Sequence, residues 1–294
     1  MSGELSGLRI AGFPGRYLQG PGALEVLPQV VKTLGARSVL VVSDDVVYRT
    51  VGTRVHDHLR TAGIDERRLR FPGECTRATI EALASAATGE RGAAIVGLGG
   101  GKTIDTAKGV AHALDARLVI VPTIASNDSA TSSLVVLYDD AHRVLGAQVL
   151  PRSPDVVLVD TMEIVRAPVR FFRAGIGDAL SKTFEARQCR ASGGLNFFQG
   201  RPPDAATVMA DRCHAAIREC GAAAVQAVLR QECTPEVETV TEATVLLSGL
   251  GFESGGLSIA HALIRGLSGV PRLSRALHGE MVTFGTVVQL VLEK

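Results

Sequence analysis

Short apolar runs alternate with helix-patterned stretches through the first 160 residues, and after that the runs stop. Ser38–Val42 (SVLVV) reads as a buried strand, and Arg16–Gln19, Arg68–Phe71, Ala93–Gly97 and Arg117–Val121 are further strand candidates. Between them, apolar residues recur at helical spacing over Gly22–Leu34, from Asp45 to Leu59, over Arg77–Thr88 and over Thr103–Leu114. Strands alternating with helices of this length predict a parallel, doubly wound sheet. LVVLY at 134–138, a turn at 139–142 and VLGAQVL predict a β-hairpin, and VVLVD at 156–160 a last strand. Beyond Asp160 the chain is mostly Ala-rich and helical. The expected fold is thus an α/β domain over 1–160 with a Rossmann-like parallel sheet, followed by an all-α domain over 161–294.

Composition narrows the function classes. The 294 residues are 46% hydrophobic and 21% charged, enough to bury a substantial core. Thirty-one Lys and Arg against 30 Asp and Glu leave a net charge of +1, which removes the electrostatic case for nucleic acid or an anionic membrane. Aromatics are 4% with no Trp, which also argues against a stacking platform for single strands. Cysteines stand at 75, 189, 213, 220 and 233, an odd number with no C-x-x-C pair, so neither a disulfide framework nor a thiolate zinc site is expected. No basic region followed by an apolar stretch opens the chain, and no apolar run reaches the ~18 residues of a membrane span, so a cytoplasmic protein is expected.

Ala94–Thr103 (AIVGLGGGKT) reads as strand, glycine cluster and helix start. Such a turn aims backbone N–H groups and the positive helix end at one point, where phosphate binds well. Gly99, Gly100 and Gly101 would let a pyrophosphate approach without Cβ obstruction. Neither common fingerprint fits: a Walker A loop needs Gly at 96, which is Val, and G-x-G-x-x-G needs Gly at 102, which is Lys. Asp44, the best ribose-binding acid, precedes the glycines, whereas such an acid normally follows them by ~20 residues. Phosphate binding and a tight turn for helix–sheet packing both remain open here.

Three residues stand out among small, apolar neighbours: Asp178 in AGIGDAL, His261 in GGLSIAHAL and His278 in ALHGEM. A carboxylate in such a setting is costly unless a cation or donors accompany it. One carboxylate and two imidazoles suit zinc with open positions, or a non-haem ferrous ion. Separations of 83 and 17 residues do not establish that the three meet.

Together these segments resemble the glycerol dehydrogenases, within the iron-containing (group III) alcohol dehydrogenase superfamily. The motifs are GGGKTIDTAK (99–108), PTIASNDSA (122–130), AGIGDAL (174–180), SGLGFESGGLSIAHA (248–262) and LHGEMVTFGT (277–286), in the family's order. The resemblance implies NAD-dependent, metal-assisted oxidation of glycerol or a related vicinal diol to a hydroxyketone such as dihydroxyacetone. It implies that Asp178, His261 and His278 ligate the metal, usually zinc, with Fe2+ the other candidate, and that Asp128 contacts the polyol. Asp44 would bind the adenosine ribose and favour NAD over a 2′-phosphorylated cofactor. Gly99, Gly100, Gly101, Lys102 and Asp105 would lie at the pyrophosphate turn, with Thr123, Ser126, Ser132, Leu134 and Tyr138 lining the rest of the nucleotide site. A homo-oligomer is expected from the family.

Two departures from the family's pattern bear on these expectations. Members usually carry several more helices beyond the position of Lys294, so the helical metal-binding domain is expected to be C-terminally short. The hairpin reads Gly146-Ala147 where glycerol dehydrogenases often have Arg-Tyr, which bears on substrate preference. Other readings of this architecture are an inactive truncated homologue and a dehydroquinate-synthase-like lyase. The lyase needs Lys and Arg around a substrate phosphate, and here the motifs offer mainly Lys102, Lys108 and Lys182.

Overall fold

The computed structural model describes residues 5–90, 92–273 and 275–294. The chain divides into two compact units. One comprises Pro14–Ile124 and Ser133–Ala167; the other takes the residues up to Phe13, Ala125–Ser132 and Pro168–Lys294. The division is therefore not a single cut near residue 160: an N-terminal segment and one internal loop group with the helices.

The first unit holds a six-stranded parallel sheet. In chain order its elements are β1 (Arg16–Gly20), α1 (Leu27–Thr33), β2 (Ser38–Ser43), α2 (Thr53–Thr61), β3 (Asp65–Arg70), α3 (Arg77–Ala86), β4 (Ala94–Gly99), α4 (Gly101–Ala113), β5 (Leu118–Pro122), β6 (Leu134–Tyr138), β7 (Val144–Val149), β8 (Val156–Asp160) and α5 (Thr161–Arg166). The sheet order is β1-β8-β5-β4-β2-β3, and β6 and β7 form a separate antiparallel hairpin. β4, β5 and β8 are buried along their whole length, which is why they carry continuous Val, Ile and Leu. Val39, Val41, Val96, Val119 and Leu158 pack with Leu27, Val31, Val55 and Leu59 of α1 and α2 in the main core. Gly97 lets α4 lie close to the sheet, since a Cβ there would stand 2.7 Å from the Ala107 Cβ.

β3 departs from the expected strand at 68–71. It begins at Asp65 and reads DERRLR, with only Leu69 buried. Its edge position explains the charge: Arg68 and Arg70 pair with Asp45 at 2.7 Å each, and charged side chains discourage edge-to-edge association. At the far end of β8 the Asp160 carboxylate caps α5 through Met162 N (3.0 Å) and also accepts from Gly22 N and Leu24 N. One side chain therefore satisfies three backbone donors from two segments.

The second unit is helical: α6 (Val169–Ala191), α7 (Asp204–Leu229), α8 (Pro235–Glu242), α9 (Ser248–Gly255), α10 (Ile259–Ala262), α11 (Ile264–Leu267) and α12 (His278–Leu292). Among the described residues no single helix is long and apolar enough to cross a membrane. Cys213 of α7 sits in a core of Ala179, Ala216, Ile217 and Ala243. Cys75 lies in a smaller cluster with Val135 and Leu150 in the sheet unit. All five cysteines are free thiols.

Burial pushes the thiols of Cys75 and Cys213 up from 9.0 to about 12. An unfolded thiol ionises near 9.0 while these resist until about 12, so they favour the native state below that window and progressively disfavour it as pH climbs through it. Ellman's reagent at about pH 8 is expected to modify neither thiol in the native protein and both after denaturation. Cys75→Ala and Cys213→Ala should each flatten the loss of stability on the alkaline side, measured as denaturation midpoints against pH.

Candidate metal centre and nucleotide turn

The Asp178, His261 and His278 side chains come together within the helical unit. Glycines make this possible. Gly177 on α6 faces Thr283 of α12, Gly279 faces the Ala174 carbonyl, and Gly175 faces the Ala125 carbonyl, each too close for a Cβ. The two helix backbones thus approach closely where Asp178 and His278 project. Glu280 fixes the start of α12, accepting from Leu277 N at 2.9 Å and from Arg170 Nε at 2.7 Å.

Asp178 is 1% exposed. Its Oδ1 lies 3.3 Å from His261 Nε2 and 3.8 Å from His278 Nε2, and one donor atom from each of the three residues falls within 4.8 Å of the others. Asp178 Oδ2 is buried without a hydrogen-bond partner among the described residues. Burying an unpaired carboxylate oxygen is costly, and a carboxylate with one oxygen unpaired and the other facing two imidazoles fits a divalent cation.

Two further residues complete the cluster: Glu185, which no motif singles out, and Lys182, which the motifs offer only as a candidate phosphate contact. Glu185, fully buried, accepts from His261 Nδ1 at 2.6 Å and from the backbone N–H groups of His261 (3.0 Å) and Ser258 (2.9 Å). Lys182 places its ammonium 2.6 Å from Asp178 Oδ1 and 3.1 Å from Asp128 Oδ2. Residues 178, 182 and 185 are i, i+4 and i+7 on α6, so the helical period was the signal that could have found them. Asp128, in the Ala125–Ser132 loop, is buried and also accepts from Ser248 Oγ.

These charges set one another's protonation. Burial alone would raise Asp178, but Lys182, His278 and His261 outweigh it and hold the carboxyl far below its usual range. Glu185, likewise opposed by burial, is drawn down to about 2, chiefly by His261. Asp128 is raised, by burial and by the charge of Asp178, against the pull of Lys182. Desolvation takes His278 down to about 4, so it is neutral near pH 7. His261 ends above its ordinary value: burial and Lys182 lower it, while Glu185 and Asp178 raise it further. The Lys182 Nζ stands 3.2 Å from His261 Nε2. An ammonium is a donor only, so the ring that meets it is the neutral one, with its proton on Nδ1 toward Glu185 and a lone pair on Nε2, whereas the second proton that Glu185 and Asp178 favour would sit on Nε2 and exclude this contact. A carboxylate behind the ring that directs Nε2 forward is the usual support of a histidine ligand.

The sheet unit carries most of the expected nucleotide residues. Gly99 ends β4, Gly100 caps α4 and Gly101 begins it, and a Cβ on Gly99 would stand 2.8 Å from Thr103. Thr123 N donates to the Gly99 carbonyl at 3.1 Å. Lys102 pairs with Glu74 at 2.6 Å and lies over the Tyr138 ring, with His142 also on Glu74. Asp105 is buried one turn into α4, where it accepts from Lys108 (3.1 Å) and from Val136 N (3.0 Å), while Lys108 donates to the Leu134 carbonyl. Its carboxylate thus ties α4 to the hairpin. Asp44 follows β2 and accepts from Val46 N and Val47 N as a cap, at 2.8 and 2.9 Å. Ser126 and Ser132 belong to the helical unit's loop, where Ser132 Oγ donates to the Ser129 carbonyl.

Comparison with known proteins returns chains of this same fold. A family model described as iron-containing alcohol dehydrogenase matches residues 14–161. A glycerol dehydrogenase of Escherichia coli O6:H1 is 42% identical over 285 residues, 97% of this chain and 77% of that protein. A glycolaldehyde reductase of Halobacterium salinarum is 41% identical over 280 residues, 95% of this chain and 76% of its own length. The crystal structure of a Schizosaccharomyces pombe glycerol dehydrogenase superimposes with a TM-score of 0.94 at 37% identity, covering 99% of this chain and 74% of that one. The chain belongs to the iron-containing alcohol dehydrogenase family.

Glu185→Ala should destabilise the fold, because it strips the acceptor from the His261 ring N–H and from two part-buried backbone N–H groups, at roughly 1–3 kcal/mol each where water cannot replace it. Glu185→Gln keeps an acceptor for those donors but loses the charge behind His261. It should remain folded while binding Zn2+ about 10–100-fold more weakly, measured by competition with a chromophoric chelator.

Proposed function

We propose that this protein oxidises glycerol or a related vicinal diol to the corresponding hydroxyketone, with NAD as hydride acceptor. The observation that carries the reading is the convergence of Asp178, His261 and His278, with Asp128 tied to the same cluster through Lys182. The relatives' names point to the same substrate class. Glycerol and dihydroxyacetone, and glycolaldehyde and its reduced diol, are both pairs of a vicinal diol and an α-hydroxycarbonyl.

Zinc, or a ferrous ion, would be held by Asp178, His261 and His278, and would supply Lewis acidity toward a substrate hydroxyl. The remaining roles fall to the chain itself. Glu185 holds the His261 Nδ1 proton, which leaves Nε2 as the ligand atom of the neutral ring, and His278 stays neutral near pH 7. Asp128, fixed by Ser248 and Lys182, would accept from a second hydroxyl of the polyol, which would favour a diol over a simple alcohol. The N-terminus of α4, opened by Gly99 and Gly100, offers backbone N–H groups to the NAD pyrophosphate. Asp44, at the end of β2, suits ribose hydroxyls and repels a 2′-phosphate. NAD held there would supply the hydride acceptor for the diol carbon, and the hydroxyl proton would leave to water.

The test is NADH formation, followed by absorbance, with glycerol and NAD, in parallel with NADH consumption by glycolaldehyde. Turnover is expected to require zinc and to vanish on chelation. His278→Ala should lose more than the roughly 10–100-fold that removal of a ligand's outer partner costs. A folded, zinc-loaded protein inactive on both pairs would sink the assignment.

A further inference from the structure

Lys182 lies outside the ligand set, yet its side chain is fully buried against it. Among the described residues its ammonium has three polar neighbours: Asp178 Oδ1 at 2.6 Å, Asp128 Oδ2 at 3.1 Å and His261 Nε2 at 3.2 Å, with the Phe252 ring 5.7 Å away. Three donors therefore meet three acceptors. Two of those acceptors belong to the ligand cluster. Asp178 Oδ1 is the oxygen that faces both imidazole Nε2 atoms, and His261 Nε2 presents the lone pair that Glu185 directs forward.

We propose that the Lys182 ammonium is a built-in counter-cation of this centre, engaging the lone pairs of Asp178 and His261 that a metal ion would take. It keeps the cluster assembled without metal and limits how tightly a divalent ion is held. The inference rests on the reading that Asp178, His261 and His278 bind such an ion. An incoming cation must displace the ammonium from His261 and share Asp178 with it, and two cations in a poorly screened interior repel. In return the metal-free protein keeps Asp128 and Asp178 from being buried side by side without a positive partner. Loss of the ammonium therefore has two opposite consequences: weaker structure without metal and tighter binding with it. A lysine that only braced α6 would show the first effect without the second.

The experiment compares the full chain with Lys182→Met, Asp128→Asn, Lys182→Met/Asp128→Asn and His278→Ala, each stripped with a chelator. Zn2+ affinity is measured by competition with a chromophoric chelator, and thermal midpoints are taken with and without Zn2+. Lys182→Met is expected to lower the metal-free midpoint, to bind Zn2+ roughly tenfold tighter or more, and so to gain more from the metal than the natural chain. Should Lys182→Met fail to fold, the double variant lacks one of the two orphaned carboxylates, and it should show the same tightening relative to Asp128→Asn. Zn2+ binding that is unchanged or weaker without Lys182, while the natural chain binds and His278→Ala does not, overturns this inference alone. Negligible binding by every protein overturns the metal reading and this inference with it.

Discussion

The carboxylate of Asp178 is 1% exposed on a helix of small residues, and the architecture of the helical unit follows from what that charge requires. A buried anion is tolerable only with cations and donors close at hand. Close backbone approach at Gly177 and Gly279 brings α12, and with it His278, against α6. Glu185 then turns His261 inward from the opposite side of the cluster, and Lys182 supplies the positive charge. Each of these residues is costly to bury alone. Together they form a network that leaves Asp178 Oδ2 without a hydrogen-bond partner among the described residues.

The sheet unit solves a different problem. Its central strands are apolar and buried between their ends, so polar residues gather where strands begin and stop. Asp44, Gly99, Gly100 and Thr123 all lie at or just beyond the carboxyl ends of β2, β4 and β5, where ligands bind open parallel sheets. The same location accounts for the double use of Asp44 as a helix cap and as the candidate ribose acid. Asp105 and Lys108 are committed elsewhere: their buried pair holds α4 to the hairpin, so Asp105 supports the turn from behind.

Much of this was legible in the residues. Continuous runs such as SVLVV and VVLVD have one outcome in a parallel sheet, because two covered faces leave polar side chains a place only at the strand ends. β3 was misread at its start because an edge strand answers to charge rather than burial, and DERRLR carries almost no apolar signal. The loop Ala125–Ser132 was placed in the sheet domain by its sequence position, but it packs with the helices, through Gly175 against the Ala125 carbonyl and through Thr131 Oγ1 on the Val245 carbonyl.

The sequence by itself determined the element types, the glycine turn, and the identity of three residues too polar for their surroundings. Those properties are local, arising from period, side-chain size and the cost of a charge among apolar neighbours. Only the tertiary structure decided that Asp178, His261 and His278 meet, that Glu185 chooses the tautomer of His261, and that Lys182 shares its ammonium between Asp178 and Asp128. The reason is geometric. A hydrogen bond or ligand contact is made or lost within an ångström, and residues 83 positions apart acquire that precision only when packed helices fix both backbones.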